Sequence, residues 1–126
     1  MRYPFLILLS IFLFSCSKNN EPKILLSQWN ITNIDGQAAA KKNEPVSLTV
    51  YWPFSSGCDI LDKFESSQQG NIIIIKAYGH TSGGICTMNA GIKTKVYTFT
   101  PSGVGNFELR FISRDSSIIS HLITVN

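Results

Sequence analysis

Five side chains in this sequence carry the soft or borderline donor atoms that bind transition metals. Three of them lie within nine residues, a grouping that invites a copper site, but no histidine follows Met88 closely enough to complete one. The sequence also lacks the paired Cys-x-x-Cys or His-x-x-x-His spacing that is typical of zinc sites. We therefore expect no metal and no cofactor. The five donors are Cys58, His80, Cys86, Met88 and His121.

The sequence offers little support for hydrolytic catalysis. His80 lies in the glycine-rich stretch AYGHTSGG, whereas His121 alternates with apolar residues, which predicts a half-buried strand position with its ring hydrogen-bonded to a neighbour. There is no Gly-x-Ser-x-Gly nucleophile motif. Asp59 and Asp62 are close in sequence, but acidic side chains are more often solvated than paired for glycoside cleavage. We therefore predict that the protein is not an enzyme.

Positive charge is dispersed along the chain. The 11 Lys and Arg residues exceed the 8 Asp and Glu residues to give a net charge of +3, and Lys41 and Lys42 are the only adjacent basic pair. A phosphate backbone is neutralised by clustered basic residues. We therefore expect no nucleic-acid partner.

The first fifteen residues have the pattern of an export signal. Arg2 supplies a positive charge, and residues 4–14 form an apolar run that only Ser10 interrupts. This run fits the apolar region of a signal peptide and is shorter than the ~20 residues of a membrane-spanning helix. Residues 1–15 are therefore predicted to be removed on export.

The residues around Cys16 point to a lipid anchor. The sequence LFSC over residues 13–16 resembles the lipobox of bacterial lipoproteins, and the following stretch SCSKNNEP resembles lipoproteins of the Bacteroidetes group. This resemblance implies a diacylglycerol on Cys16 and an acylated amine, which together anchor stably in a membrane. Ser17 stands where some bacteria use Asp for inner-membrane retention, so the resemblance implies the outer membrane, on either face. Residues 16–23 would then form a polar tether.

The other two cysteines are an even number in an exported chain. An exported compartment favours oxidation, so we predict a disulfide between Cys58 and Cys86. It would close a loop of roughly thirty residues and contribute about 3–4 kcal/mol to stability. Two buried free thiols are the alternative.

Residues 24–126 show strand signals and no convincing amphipathic helix. Residues 37–44 have local helix propensity without an apolar stripe, so we interpret them as a loop with at most one helical turn. Regularly spaced short strands without helices predict an all-β domain with two sheets, a β-sandwich. The seven predicted strands are 24–32, 46–52, 60–64, 71–78, 92–100, 106–112 and 118–125.

The C-terminal half carries a second resemblance. The sequence TFTPSGVGNFELRF over residues 98–111 is similar to the closing strands of bacterial immunoglobulin-like domains. Pro101 and Gly105 mark the corner there, and Phe107 takes an aromatic place that is usually Tyr. The resemblance implies an antiparallel immunoglobulin-like sandwich of about seven strands and no known activity.

Two loops are candidates for recognition. Residues 51–57 (YWPFSSG) concentrate aromatic side chains, and residues 78–84 (YGHTSGG) are small and polar. A disulfide at Cys58 would pin them together, and aromatic faces beside small polar residues suit sugars or peptide strands. The candidate ligand-binding residues are Trp52, Phe54, Tyr78 and His80.

Two of these aromatic residues have a competing explanation in the core. Trp52 continues the inward face of its strand, which favours a buried position. The pattern leaves Phe54 open between the core and a binding surface.

These observations predict a lipid-anchored, non-catalytic binding or adhesion module of the cell envelope, whose ligand is an unknown protein or glycan. One alternative is a structural or assembly subunit that pairs through an exposed sheet edge. Residues 24–32, which lack Lys and Pro, would suit such an edge. A small enzyme or an inhibitor that uses the same loops is the other alternative.

Overall fold

The computed structural model describes residues 24–126, so the signal at 1–15, the lipid site at Cys16 and the tether at 16–23 lie outside the described residues. The described chain forms strands and no helix, as the sequence predicted. The strands are β1 (Ser27–Gln28), β2 (Asn33–Gly36), β3 (Ala39–Ala40), β4 (Val46–Phe54), β5 (Asp59–Gln69), β6 (Ile72–Thr81), β7 (Gly91–Phe99), β8 (Gly105–Ile112) and β9 (Ile118–Val125).

The strands form two sheets, as in a β-sandwich. The smaller sheet has the order β2-β4-β7, and the larger sheet contains β1, β3, β5, β6, β8 and β9. In the larger sheet β5 lies along one side of β6, while β8 and β1 share the other side. Strand β8 pairs with Ile72 to Ile75 of β6, and β1 pairs with Tyr78 and Gly79.

Two strand pairs are parallel, whereas the sequence predicted an antiparallel sandwich. β6 pairs in parallel with β8, and the two-residue β3 pairs in parallel with β9. The chain passes from β6 to β7 in the other sheet before it returns as β8, so β6 meets β8 across a crossover connection, as a neighbour that runs in the same direction. Strand polarity depends on such neighbours, which apolar alternation does not specify.

Alternation along the strands builds the core between the sheets. The inward residues of β4 and β8 are all at most 4% exposed, so the predicted faces of both strands are confirmed. On β7 both Tyr97 and Phe99 face inward, and Tyr97 packs edge-to-face against Phe64 and Phe111. The inward residues of β4 and β8 are Val46, Leu48, Val50, Trp52, Phe107, Leu109 and Phe111.

Two predicted strands had the wrong extent. Residues 24–32 do not form one strand, because the chain leaves the larger sheet after β1 and joins the smaller sheet at β2. The Ser113 hydroxyl stabilises this crossing by accepting from the Ile31 N–H and donating to the Ile31 carbonyl. The predicted strand 60–64 is instead the eleven-residue β5, whose polar second half pairs with the isoleucine run of β6.

Two of the hairpin turns use backbone conformations with positive φ. Ser116 adopts a φ of 71° in the turn after Arg114 and Asp115, which joins β8 to β9. Gly70 joins β5 to β6 with a φ of 59°, a conformation that glycine adopts without steric cost. The 37–44 segment contains strand β3, because Ala39 and Ala40 pair with the end of β9.

Candidate functional site

The predicted disulfide is present at one end of the sandwich. Cys58 and Cys86 are bonded with their Cα atoms 5.4 Å apart. The bond joins the turn between β4 and β5 to the loop 82–90. Backbone hydrogen bonds from Gly57 N to Thr87 O (2.8 Å) and from Ser82 N to Cys58 O (3.0 Å) hold the same two segments. The disulfide and these hydrogen bonds therefore hold the β4–β5 turn (residues 55–58) against the loop 82–90, and we call these two segments together the platform.

A buried carboxylate organises the platform from within. Asp59 is 2% exposed and accepts hydrogen bonds from the backbone N–H groups of Ser55 and Ser56 and from the Thr81 hydroxyl. Burial by itself would raise the pKa of Asp59, but these hydrogen bonds stabilise the ionised form and together hold the pKa below its usual value. Asp59 therefore fixes the turn before β5 to the end of β6.

Lys93 connects the platform to two aromatic side chains of β4. Lys93 Nζ donates to the Asp59 carbonyl at 3.0 Å and lies 4.7 Å from the Phe54 ring centroid and 5.6 Å from that of Trp52. Cation–π contacts at such distances are favourable. Phe54 and Trp52 are thus engaged within the protein.

The structure does not bring the four candidate ligand-binding residues into one patch. Trp52 is 3% exposed and belongs to the core, so the prediction that it contacts a ligand is corrected. Its place on the inward face of β4 is the physical reason. Phe54 is half-buried against the core and borders a separate cavity of about 240 Å³ with Trp29 and Arg114.

Tyr78 and His80 lie together on another surface. Both belong to the outward-facing residues of β6, which are half-buried, whereas the alternate residues face the core and are buried. Their separation of two positions along one strand places them on the same face of the larger sheet. Tyr78 and His80 are therefore the two candidates that the fold places side by side.

This outward face of β6 forms an elongated groove, which we call the β6 groove. Tyr78 borders a cavity of about 390 Å³, and His80 borders the next cavity, of about 450 Å³. The groove offers the Tyr78 ring, four apolar side chains, an acid, two bases and several hydroxyls. Its lining residues are Ile24, Leu25, Ser27, Glu65, Ser66, Ser67, Ile74, Lys76, Tyr78, His80, Thr81, Ser82, Gly83 and Ile112.

His80 is oriented by a carboxylate that the sequence analysis did not connect with it. His80 Nδ1 lies 2.6 Å from Asp62 Oδ2, so the ring donates to the carboxylate and Nε2 is the nitrogen left for a ligand. Asp62 sits at the register shift between Leu61 and Lys63, where β5 carries one residue more than β6. No local sequence signal marks this bulge, which explains why the pair was missed.

The His80–Asp62 pair resembles the base and orienting acid of a hydrolase. Such chemistry needs a nucleophile within hydrogen-bond reach of the imidazole. Within residues 24–126 the hydrogen bonds of His80 include Asp62 and no serine hydroxyl. His121, the other histidine, donates to the Gln37 carbonyl at 2.8 Å and is half-buried, as predicted.

Sheet edges offer a different kind of surface. Among the described residues, β5 pairs only with β6 and β7 pairs only with β4. Residues 24–32, the edge suggested by the sequence, contribute only the two-residue β1. The other edges of the described sheets are β2 in the smaller sheet and β9, which has a neighbour beyond β8 only at its last two residues. β5 and β7 carry lysine, which disfavours edge pairing, whereas β2 and β9 carry none and are the edges that a partner strand could meet.

In residues 24–126 no group of three or more His, Cys, Asp or Glu side chains converges as a metal site. Cys86, one of the predicted donors, is bonded to Cys58 and carries no free thiolate. The same part of the chain contains no helix with the length and apolarity needed to cross a bilayer. No family model, curated protein or solved structure matches this chain.

Proposed function

We propose that this protein is a lipid-anchored, non-catalytic binding module of the cell envelope that holds its ligand along the β6 groove. One observation supports the groove above all: the fold places Tyr78 and His80 on one half-buried face, and each of them borders a cavity. Binding residues on a rigid β scaffold need little ordering when a ligand arrives. Cys16 at the end of an export signal supports the anchor.

The shape of the groove suits an extended ligand. From Ile74 to His80 the outward face of β6 spans about 20 Å, at roughly 3.3 Å per residue. Tyr78 offers a ring for stacking, while Lys76 and Glu65, which lie opposite each other on β6 and β5, offer charges of both signs near it. A glycan chain or an extended peptide matches this combination of ring, charges and hydroxyls.

We also propose that residues 24–126 form an immunoglobulin-like β-sandwich. Support comes from the corner residue Pro101, which is fully buried, and from Phe107, which is 4% exposed where the resemblance expects a buried aromatic. The closing β8–β9 hairpin and the pairing of an early strand, β3, with the last strand fit as well. The parallel β6–β8 pair departs from the antiparallel order of the family.

Site-specific photo-crosslinking in intact cells tests the groove. A photo-reactive phenylalanine analogue replaces Tyr78 in the full chain, and the matched control replaces Tyr51, another half-buried tyrosine, which lies on the outer face of the smaller sheet. We expect a discrete adduct from position 78 and none from position 51. Mass spectrometry of the adduct then distinguishes a peptide from a glycan.

A second variant separates binding from stability. His80→Ala is expected to reduce the adduct at position 78 at least fivefold and to leave the thermal midpoint nearly unchanged, because a partly exposed hydrogen bond between two side chains contributes little to stability. Equal adduct yields at positions 78 and 51, or no adduct at either, would rule out the groove as the binding site.

A further inference from the structure

The most exposed apolar side chains of the described chain gather at one end of the sandwich. Leu25 is 84% exposed, Met88 is 88% exposed, and Ile85 is as exposed as in an extended peptide. Leu25 borders the same cavity as Ser82 and Gly83, where the loop carrying Ile85 and Met88 begins. We call the group Ile24, Leu25, Ile85 and Met88 the proximal apolar patch.

Covalent and hydrogen-bond restraints keep this patch exposed. Ile85 precedes the disulfide cysteine Cys86, and Met88 follows Thr87, whose carbonyl accepts from Gly57 N at 2.8 Å. The loop is thus held open against the β4–β5 turn, and its apolar side chains stay in solvent. Clustered apolar side chains that remain exposed on a soluble surface mark an interaction site.

The start of the described chain indicates what the patch meets. Residue 24 belongs to the patch, and only eight residue steps separate it from Cys16. An extended tether of that length spans at most about 29 Å. A lipid on Cys16 would therefore hold this end of the sandwich, rather than the opposite one, next to the membrane surface.

Several charged side chains at this end of the sandwich have hydrogen-bond partners within the protein. This lowers the desolvation free energy of bringing this end against a lipid surface. Asp59 is buried within its hydrogen bonds, Lys93 donates to the Asp59 carbonyl, and Asp62 pairs with His80. An apolar contact of this kind is insensitive to salt, because ionic screening acts on charges.

We propose that the proximal apolar patch inserts into the surface of a lipid bilayer and seats the sandwich against the membrane. The orientation rests on the proposed anchor at Cys16, whereas the apolar contact is a property of the folded domain. Interfacial seating of this kind scales with the apolar area that enters the lipid. The β6 groove would run away from the membrane, with its His80 end, whose cavity Ile24 and Leu25 also border, next to the lipid.

Vesicle co-sedimentation of an unlipidated protein tests the patch. The chain from residue 16 onward carries Cys16→Ser and contains all core residues, which lie between Ile31 and Val125. Phosphatidylcholine vesicles, with and without phosphatidylglycerol, serve as the probe at low and high salt. The test variant is Ile85→Ser with Met88→Ser, and the matched control is Val104→Ser with Leu122→Ser, at positions 65% and 67% exposed elsewhere on the surface.

We expect the parent and the control to partition onto both kinds of vesicle at either salt concentration, and the test variant to lose at least tenfold in partitioning. Retained binding by the test variant, an equal loss in the control, or no binding by the parent would each overturn the proposal. If the test variant fails to fold, Leu25→Ser replaces it. The result is independent of the anchor, because every protein in the assay lacks Cys16.

Discussion

A single buried carboxylate fixes the turn from which the disulfide extends. Asp59 accepts hydrogen bonds from two backbone N–H groups and from the hydroxyls of Ser55 and Thr81. Replacing it by Asn keeps the shape but removes the charge that strengthens these bonds. We expect Asp59→Asn to lower the free energy of unfolding by about 1–3 kcal/mol at neutral pH, measured by urea denaturation. Asp35→Asn, at an exposed position, is the control and should change little.

The effect of this substitution should depend on pH. The pKa of Asp59 is lowered in the folded state, so the unfolded chain binds a proton at a higher pH than the folded one does. Its stabilisation is complete above the unfolded pKa, about pH 4, and is lost as the pH falls through the lower folded pKa. The difference between Asp59→Asn and the parent should therefore shrink under acidic conditions. A difference independent of pH would contradict this role.

One glycine permits the close approach of two strands and a tryptophan. A Cβ at Gly79 would collide with the Ile60 carbonyl oxygen and the Trp29 indole nitrogen. We expect Gly79→Ala to destabilise the fold by about 1–3 kcal/mol, because the core is overpacked, as measured by urea denaturation. Gly83→Ala is the control, since a Cβ there meets nothing within 4 Å. Equal effects at both positions would show that the backbone at Ile60 and the Trp29 ring both shift to make room for the Cβ.

The disulfide acts at the scale of elements, because it ties a loop to a turn between two strands. It joins two cysteines that are 28 positions apart in the sequence. We expect Cys58→Ser with Cys86→Ser to lower the free energy of unfolding by about 3–4 kcal/mol, chiefly by freeing the unfolded chain. Reduction of the parent protein should have the same effect, and a loss below about 1 kcal/mol would show that hydrogen bonds alone hold the platform.

Elements with apolar alternation could be predicted from the sequence, and elements without it could not. β4 and β8 alternate strictly, and their inward faces are the buried ones. The second half of β5 is polar on both faces and is a strand because β6 pairs with it. The break between β1 and β2 depends on Ser113, more than eighty residues away, which no local pattern reveals.

The candidate site, too, could be predicted from the sequence only in part. The sequence indicated Tyr78, His80 and the disulfide, because aromatic, histidine and cysteine residues are conspicuous by type. It did not indicate Asp62 as the partner of His80, which depends on a bulge, and it placed Phe54 beside Tyr78 because strand order was unknown. Strand order separates them, since β4 and β6 belong to different sheets.

At the scale of the whole molecule, the proposals give the domain one orientation relative to the membrane. The proximal apolar patch would face the membrane, the β6 groove would lie along the side, and the end with Val104 would point away. This orientation depends on a lipid at Cys16, since the tether of eight residue steps is what holds the patch near the membrane. The lipid is therefore the central claim.

Metabolic labelling with an alkyne fatty acid tests that claim most directly. The full chain is expressed in a bacterium that processes lipoproteins, beside Cys16→Ser. Cys58 and Cys86 are joined to each other, so Cys16 is the one cysteine left for a lipid. We predict label and membrane fractionation for the parent chain, and neither for Cys16→Ser. An unlabelled parent, or equal labelling of both proteins, would contradict the account.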